Sequence, residues 1–172
     1  IQSSLYSGTW SVPVPVSGAS SDVDAPQVSG RADGSAVAVW DTSDIADPAI
    51  DIQAATFDGA SWTAPLTLTA GNDSIEPLVA TTGAGTAVSV WSVGACACAG
   101  TIQTATLSAG VWSTPTDLTA PSVDAVEPAL VATAGGTAVA TWVDDDGVST
   151  LSIQGALGAP SAITKPGAGG DA

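Results

Sequence analysis

A repeat of about 50 residues runs through the sequence and constrains the fold more than any other feature. The dipeptide Ile-Gln recurs four times at this spacing, starting at positions 1, 52, 102 and 153. A period of about 20 to 50 residues is typical of proteins built from stacked structural units. Residues at the same position in different repeats are called counterparts below. Three further sets of counterparts keep the same step: Trp10, Trp62 and Trp112; Pro26, Pro77 and Pro128; and Trp40, Trp91 and Trp142.

Each repeat contains two predicted β-hairpins, which give four strands named A, B, C and D. The segments are short, and turn signals such as Asp33-Gly34 separate them. Along strand B of one repeat, Val37 and Val39 point to one face and Ala38 points to the other, so both faces are apolar. An antiparallel sheet that is buried on both faces is what a β-propeller blade requires, because each blade packs between two neighbours.

This blade pattern resembles that of secreted bacterial β-propeller repeat proteins of the sialidase-like and Asp-box-like kind. The shared elements are Pro-x-hydrophobic, an Asp/Gly turn, Ala-Val-x-Val-Trp, Ile-Gln and Gly-x-x-Trp-x-x-Pro, and they cover nearly the whole chain. One turn, 57–62, keeps the Asp and the Trp of an Asp box, whereas the corresponding turn at 107–112 lacks the Asp. The resemblance implies an all-β β-propeller of four-stranded antiparallel blades, a fold that hosts enzymes, lectins and scaffolds alike.

The strand count predicts about three and a half blades, with repeat units starting near 1, 52, 102 and 153. The repeats span 1–164, and a Gly/Pro-rich tail at 165–172 is predicted to be flexible. Propellers close with about four to eight blades, so this number leaves bare sheet edges. We therefore expect self-association through open blade edges, as a two-chain ring or an open stack, or a longer array of repeats.

Composition excludes several function classes. The chain has 17 acidic and 2 basic residues and a net charge of −15, which argues against a nucleic-acid partner and against an anionic membrane surface. No apolar run reaches the 18 to 20 or so residues of a membrane helix, so no membrane insertion is expected. With no His, one Tyr (Tyr6) and Arg31 without a neighbouring Arg, the usual triads and a sialidase-type arginine cluster are absent.

Most acidic residues fall in the loops that join D to A and B to C, which lie on one face of a propeller. Carboxylates gathered in this way are candidate ligands for Ca²⁺, a hard cation that prefers oxygen. The alternative is that they are turn-forming and solubilising residues. No pair of them stands out in the sequence as a pair with a raised pKa. The candidate calcium ligands are Asp22, Asp73, Asp124, Glu76, Glu127, Asp144 and Asp146.

The two cysteines, Cys96 and Cys98, lie in a Gly- and Ala-rich loop. They predict a short-range disulfide, because the other features favour an extracellular protein. Two free thiols and an incomplete zinc site are the alternatives.

These features lead to a noncatalytic extracellular or cell-surface module for adhesion or recognition. Its expected ligand is a glycan or a protein surface, with Ca²⁺ as a stabilising ion. One alternative is a structural repeat protein of a surface filament, sheath or stalk. A lesser alternative is a glycoside hydrolase-like enzyme that uses two loop carboxylates.

Overall fold

The computed structural model describes residues 1–18, 22–43, 49–94, 100–120, 124–133, 135–145, 151–159 and 162–163, the last two ranges as backbone. Within these ranges all regular secondary structure is β-strand, and no helix there could cross a membrane. The strands in chain order are β1 (Gln2–Ser3), β2 (Val14–Pro15), β3 (Asp22–Gly30), β4 (Ala36–Ser43), β5 (Asp51–Phe57), β6 (Leu66–Thr67), β7 (Ser74–Gly83), β8 (Thr86–Val93), β9 (Thr101–Ser108), β10 (Val111–Trp112), β11 (Thr116–Asp117), β12 (Asp124–Ala132), β13 (Ala138–Asp145), β14 (Leu151–Ala159) and β15 (Ala162–Ile163).

The strands form one hairpin and three blades, all antiparallel. Among the strands that the structure describes, β1 and β2 pair only with each other, and they are called the N-terminal hairpin. The first blade has the order β3-β4-β5-β6, and the third has the order β12-β13-β14-β15. The second runs β7-β8-β9, with β10 and β11 both paired to β9. This arrangement confirms the all-β, propeller-type prediction of four-stranded blades.

Strand D is shorter than the sequence pattern predicts. In the first blade the pattern covers residues 62–69, but the regular strand is limited to Leu66–Thr67, with an isolated bridge between Phe57 and Trp62. Pro65 lies between the bridge and the strand, and proline has no N–H to donate to a ladder. Strand D is an edge strand, so this interruption leaves the three inner strands of the blade intact.

Strand A is predicted to start at the repeated proline but starts three or four residues before it, and it carries a bulge there. The pairing of A with B shifts between Asp24 and Gln27 in the first blade, and the other two blades shift at the corresponding place. The residue before each proline has a positive φ: 46° at Ala25, 56° at Glu76 and 54° at Glu127. Such bulges re-aim the side chains beside them.

Strand B forms the core of each blade, as its two apolar faces predict. Val37, Val39 and Trp40 are fully buried in the first blade. The tryptophan of strand B lies opposite the repeated glutamine of strand C, so that Trp40 is paired with Gln53. The indole N–H of Trp40 donates to Oε1 of Gln53 at 3.2 Å, and Nε2 of Gln53 donates to Thr67. The glutamine therefore links strands B, C and D within one blade.

Candidate functional site

Two carboxylates face each other at one end of the first blade. Asp24 near the start of β3 lies directly opposite Asp41 near the end of β4. The bulge after Asp24 produces this pairing, because continuing the register from Gly30 opposite Ala36 would place Asp24 opposite Thr42 instead. Residues directly opposite on antiparallel strands have Cβ atoms about 4.5 to 5.5 Å apart. The two carboxyl groups are therefore close neighbours.

This pair belongs to the first blade alone. The counterparts of Asp24 are Ile75 and Val126, and those of Asp41 are Ser92 and Val143. Neither acid recurs in the other repeats, so the repeat pattern does not single out this pair. The signal that could have revealed it is a departure from the repeat at two positions that pair across one hairpin.

Asp41 has a perturbed ionisation. Burial raises the pKa of its carboxyl above the ordinary value, and the nearby carboxylates of Asp24 and Glu76 raise it further. Backbone N–H groups of Glu76 and Asp24 donate to the carboxyl and lower its pKa, without cancelling the effect of burial. Glu76 lies at the bulge of β7, so the second blade contributes to the environment of Asp41. The perturbation thus arises at the junction of two blades.

A cavity of about 300 Å³ adjoins the pair. Thr42 also lines it and is only 8% exposed. The lining residues are Asp22, Val23, Asp24, Asp41, Thr42, Ser43, Ile50 and Ile75.

A carboxyl group with a raised pKa next to a second carboxylate can perform acid–base chemistry. The buried member holds a proton for donation, and the more exposed member stays ionised as a base or nucleophile. Asp24 is exposed, whereas Asp41 is partly buried. Two environments for two carboxylates are the arrangement that glycosidic bond cleavage uses.

Two of the repeated aspartates predicted as calcium ligands connect neighbouring blades. Oδ1 of Asp73 accepts the N–H of Ile50 at 3.3 Å, and Oδ1 of Asp124 accepts the N–H of Gly100 at 2.7 Å. Asp124 is the first residue of strand A of its blade, whereas Asp73 directly precedes strand A of its own, and each donor lies just before strand C of the preceding blade. The structure therefore gives these side chains a role in blade packing.

The other candidate calcium ligands lie at different places in the structure. Asp22 lines the cavity, whereas Glu76 and Glu127 lie at the bulges and are exposed. Asp144 lies on β13 opposite Ala125. Asp146, Cys96 and Cys98 lie outside the described residues. Among the described part of the chain, no group of three or more His, Cys, Asp or Glu is arranged to hold a metal ion, and calcium binding stays a prediction.

The Asp-Gly turns behave as the sequence predicts. Asp33 accepts hydrogen bonds from the N–H and the hydroxyl of Ser35, and these lower the pKa of the Asp33 carboxyl. Asp58 accepts the N–H groups of Ser61 and Ala60, which lower its pKa in the same way. These carboxylates stabilise tight turns at the opposite end of the strands from Asp41.

Two solved structures of one α-L-arabinofuranosidase share the fold of this chain. The chain is similar to an α-L-arabinofuranosidase from Fusarium graminearum in complex with an iminosugar inhibitor, with 13% identity, a TM-score of 0.51, and coverage of 83% of this chain and 48% of that one. A mutant of the same enzyme gives 13% identity, a TM-score of 0.52, and coverage of 78% and 45%. The chain thus spans less than half the length of these structures. No family model and no curated protein matches the sequence.

These comparisons confirm the β-propeller fold and correct the functional prediction. The sequence led to a noncatalytic module for adhesion or recognition, with a structural filament as the alternative. That prediction is wrong, because the two similar solved structures are of an α-L-arabinofuranosidase. At 13% identity the likeness establishes the fold, and the activity has to be argued from the site. Membership of the sialidase-like and Asp-box-like proteins stays a prediction.

Proposed function

We propose that this chain forms a glycoside-cleaving site on a β-propeller, with Asp41 as the proton donor and Asp24 as the nucleophile. One observation carries the proposal: Asp24 and Asp41 lie directly opposite each other, and burial raises the pKa of Asp41. Glycosidases of most kinds use two carboxyl groups, one kept protonated and the other ionised. The propeller fold that the chain shares with two arabinofuranosidase structures supports the same reaction class.

The reaction would proceed in two steps. Asp41 donates its proton to the glycosidic oxygen while the carboxylate of Asp24 attacks the anomeric carbon, so the leaving sugar departs as an alcohol and a glycosyl ester forms. Asp41, now ionised, then takes a proton from a water molecule that attacks the ester and frees Asp24. This scheme retains the anomeric configuration, as the close spacing of opposite strand neighbours favours; inverting enzymes hold their carboxyl groups about 6.5 to 9.5 Å apart.

The charge of this end of the propeller favours a glycan without acidic groups. Asp22, Asp24 and Asp41 surround the cavity. Arg31 lies at the other end of β3, where its guanidinium donates to the carbonyl oxygens of Gly83 and Thr86. A field of one sign concentrates ligands of the opposite sign and repels those of the same sign. The proposed substrates are therefore neutral or amino sugars, and uronic or sialic acid chains are disfavoured.

The test is hydrolysis of aryl glycosides and of neutral, amino and acidic oligosaccharides by the wild-type protein and three variants. Asp41→Asn and Asp24→Asn should each lower kcat by at least about a hundredfold, the usual contribution of a positioned acid or base. Asp33→Asn is the matched control, because Asp33 is a turn carboxylate at the opposite end of the blade, and it should keep wild-type activity. A wild-type protein that cleaves none of these substrates would refute the proposal.

Three further predictions from the sequence accompany this proposal. We propose that the protein is extracellular, that Ca²⁺ stabilises its acidic loops, and that open blade edges allow self-association. The acidic loops support the second of these, and the incomplete set of blades supports the third.

A further inference from the structure

The N-terminal hairpin is the outer half of a blade. Its strand β1 contains Gln2, the counterpart of Gln53 and Gln103. In the complete blades these glutamines lie opposite a strand B tryptophan, Trp40 and Trp91 respectively. In the described chain β1 pairs with β2 and with no other strand. The edge of β1 that corresponds to the paired edge of β5 and β9 is therefore open.

The hairpin already has the conformation of its counterparts. Tyr6 and Trp10 form an isolated bridge with ring centroids 5.3 Å apart, and Phe57 and Trp62 form the same bridge at the same distance. The two bridges differ in solvent exposure, because the side chain of Tyr6 is 65% exposed whereas that of Phe57 is 6% exposed. Strand B residue Ala36 lies opposite Phe57, and the hairpin has no strand in that place.

A groove of about 460 Å³ occupies the place of the absent strands. One side of the groove is the N-terminal hairpin, and the other is the face of strands β3 and β4. The residues that define the two sides include Ile1, Ser3 and Leu5 on the hairpin and Pro26, Val28 and Ala36 on the blade.

The next interface along the chain indicates what fills such a groove. Val79, the counterpart of Val28, packs against a cluster that contains Val37 of the preceding blade. Val28 itself is 67% exposed. An occupant that repeats this interface packs a valine of its own strand B against Val28. The same strand B also places an alanine opposite Tyr6 and a tryptophan opposite Gln2. These three requirements match the strand B pattern Ala-Val-x-Val-Trp at 36–40 and 87–91.

We propose that this groove binds a two-stranded antiparallel hairpin with the A–B pattern of this repeat, whose strand B adds to the open edge of β1. Strand addition of this kind gains backbone hydrogen bonds along the edge and specificity from alternate side chains. The A–B hairpins described in this chain are already paired, since β4, β8 and β13 bond to β5, β9 and β14. The occupant is therefore an additional A–B hairpin.

The alternation of backbone groups identifies the amides that report on binding. Ile1 and Leu5 bond towards the β2 side of the hairpin, because their carbonyl oxygens accept from Val16 directly after β2 and from Ser11 before it. In an antiparallel ladder successive residues point to opposite edges. The N–H groups of Gln2, Ser4 and Tyr6 consequently point to the open edge.

The experiment adds a hairpin to the full chain. A copy of residues 22–51 is fused directly before Ile1. The added strand B is then as far from Ile1 in sequence as β4 is from Ile52, the counterpart of Ile1. Hydrogen exchange at Gln2, Ser4 and Tyr6 should slow by at least about tenfold relative to the unfused chain, because new strand hydrogen bonds protect these amides. A matched control carries Trp40→Ser in the added copy only and should lose most of this protection.

Three results would overturn the proposal. The first is a fused protein that folds and stays monomeric but whose hydrogen exchange rates at the three amides equal those of the unfused chain. The second is equal protection by the control copy. The third is protection of the unfused chain that rises with protein concentration or with a neutral oligosaccharide, which would identify a second copy or a glycan as the occupant.

Discussion

Trp62 donates its indole N–H to the hydroxyl oxygen of Ser3, 2.8 Å away, across the boundary between the first blade and the N-terminal hairpin. Its counterpart Trp112 packs against a cluster that includes Ile52 of the preceding blade. The repeated tryptophan of strand D thus contacts strand C of the blade before it. This contact gives the tryptophan at this repeated position a role in packing one blade on the next.

Replacing Trp112 by Ala should weaken the junction of the first and second blades. The change removes a large side chain from an inter-blade cluster, and we expect a loss of about 3 kcal/mol in the free energy of unfolding. Trp10→Ala is the matched control, because Trp10 is 71% exposed and should cost less than about 1 kcal/mol. Urea unfolding measures both, and equal losses would contradict this account of the repeated tryptophan.

Gly100→Ala should disturb the junction of the second and third blades. An added Cβ would lie 2.6 Å from the carbonyl oxygen of Ala125, and overpacking of this kind costs about 1 to 3 kcal/mol. Gly30→Ala is the control, since a Cβ there meets nothing within 4 Å. Thermal unfolding should show a lower Tm for the first variant than for the second. The reverse order would show that the Gly100 contact relaxes without cost.

Asp124→Ala should also weaken that junction, because the N–H of Gly100 loses its acceptor. We expect a cost of about 1 to 2 kcal/mol in chemical unfolding. Asp124→Asn keeps an oxygen in the same place and should cost less. If Ca²⁺ binds at the repeated aspartates, it should raise the Tm of the wild-type protein and raise that of Asp124→Asn less. An ion-independent Tm in all three proteins would contradict the calcium prediction.

The pH dependence of stability should differ in sign between Asp41 and Asp33. The pKa of Asp41 is raised in the folded protein, so its contribution is fully present below the unfolded value of 3.8 and is lost as the pH rises through the folded value. Asp41→Asn should therefore gain stability relative to wild type as the pH rises from 3 to the neutral range. The pKa of Asp33 is lowered, so its contribution is present above 3.8 and is lost as the pH falls through the folded value.

Asp33→Asn should accordingly lose stability relative to wild type above about pH 4, where the wild-type carboxylate is ionised and bonded to Ser35. The two variants control for each other, because they remove the same charge at opposite ends of one blade. Tm measured against pH for the wild type and both variants gives the comparison. Curves that shift in the same direction would contradict the assigned environments.

The repeat alone predicts most of the fold, because strand pairing within a blade is local. Val37 and Trp40 are buried where the alternation of strand B places them. The pairing of Gln53 with Trp40 comes from the structure alone. The length of strand D in the first blade is not predicted correctly, since this edge strand contains Pro65 and forms few hydrogen bonds with strand C. The sequence-based prediction of a noncatalytic module did not take account of Asp24 and Asp41, because neither residue recurs in the other repeats.

The sequence by itself determined the blades, their order and the apolar faces on which they pack, since a short period fixes which residues alternate and where the turns fall. Only the tertiary structure placed Asp24 opposite Asp41, because the bulge before Pro26 inserts one residue and shifts the register beyond it. The raised pKa of Asp41 likewise depends on burial and on Glu76 of the next blade. Burial and the approach of a charge from another blade arise only when the blades pack together.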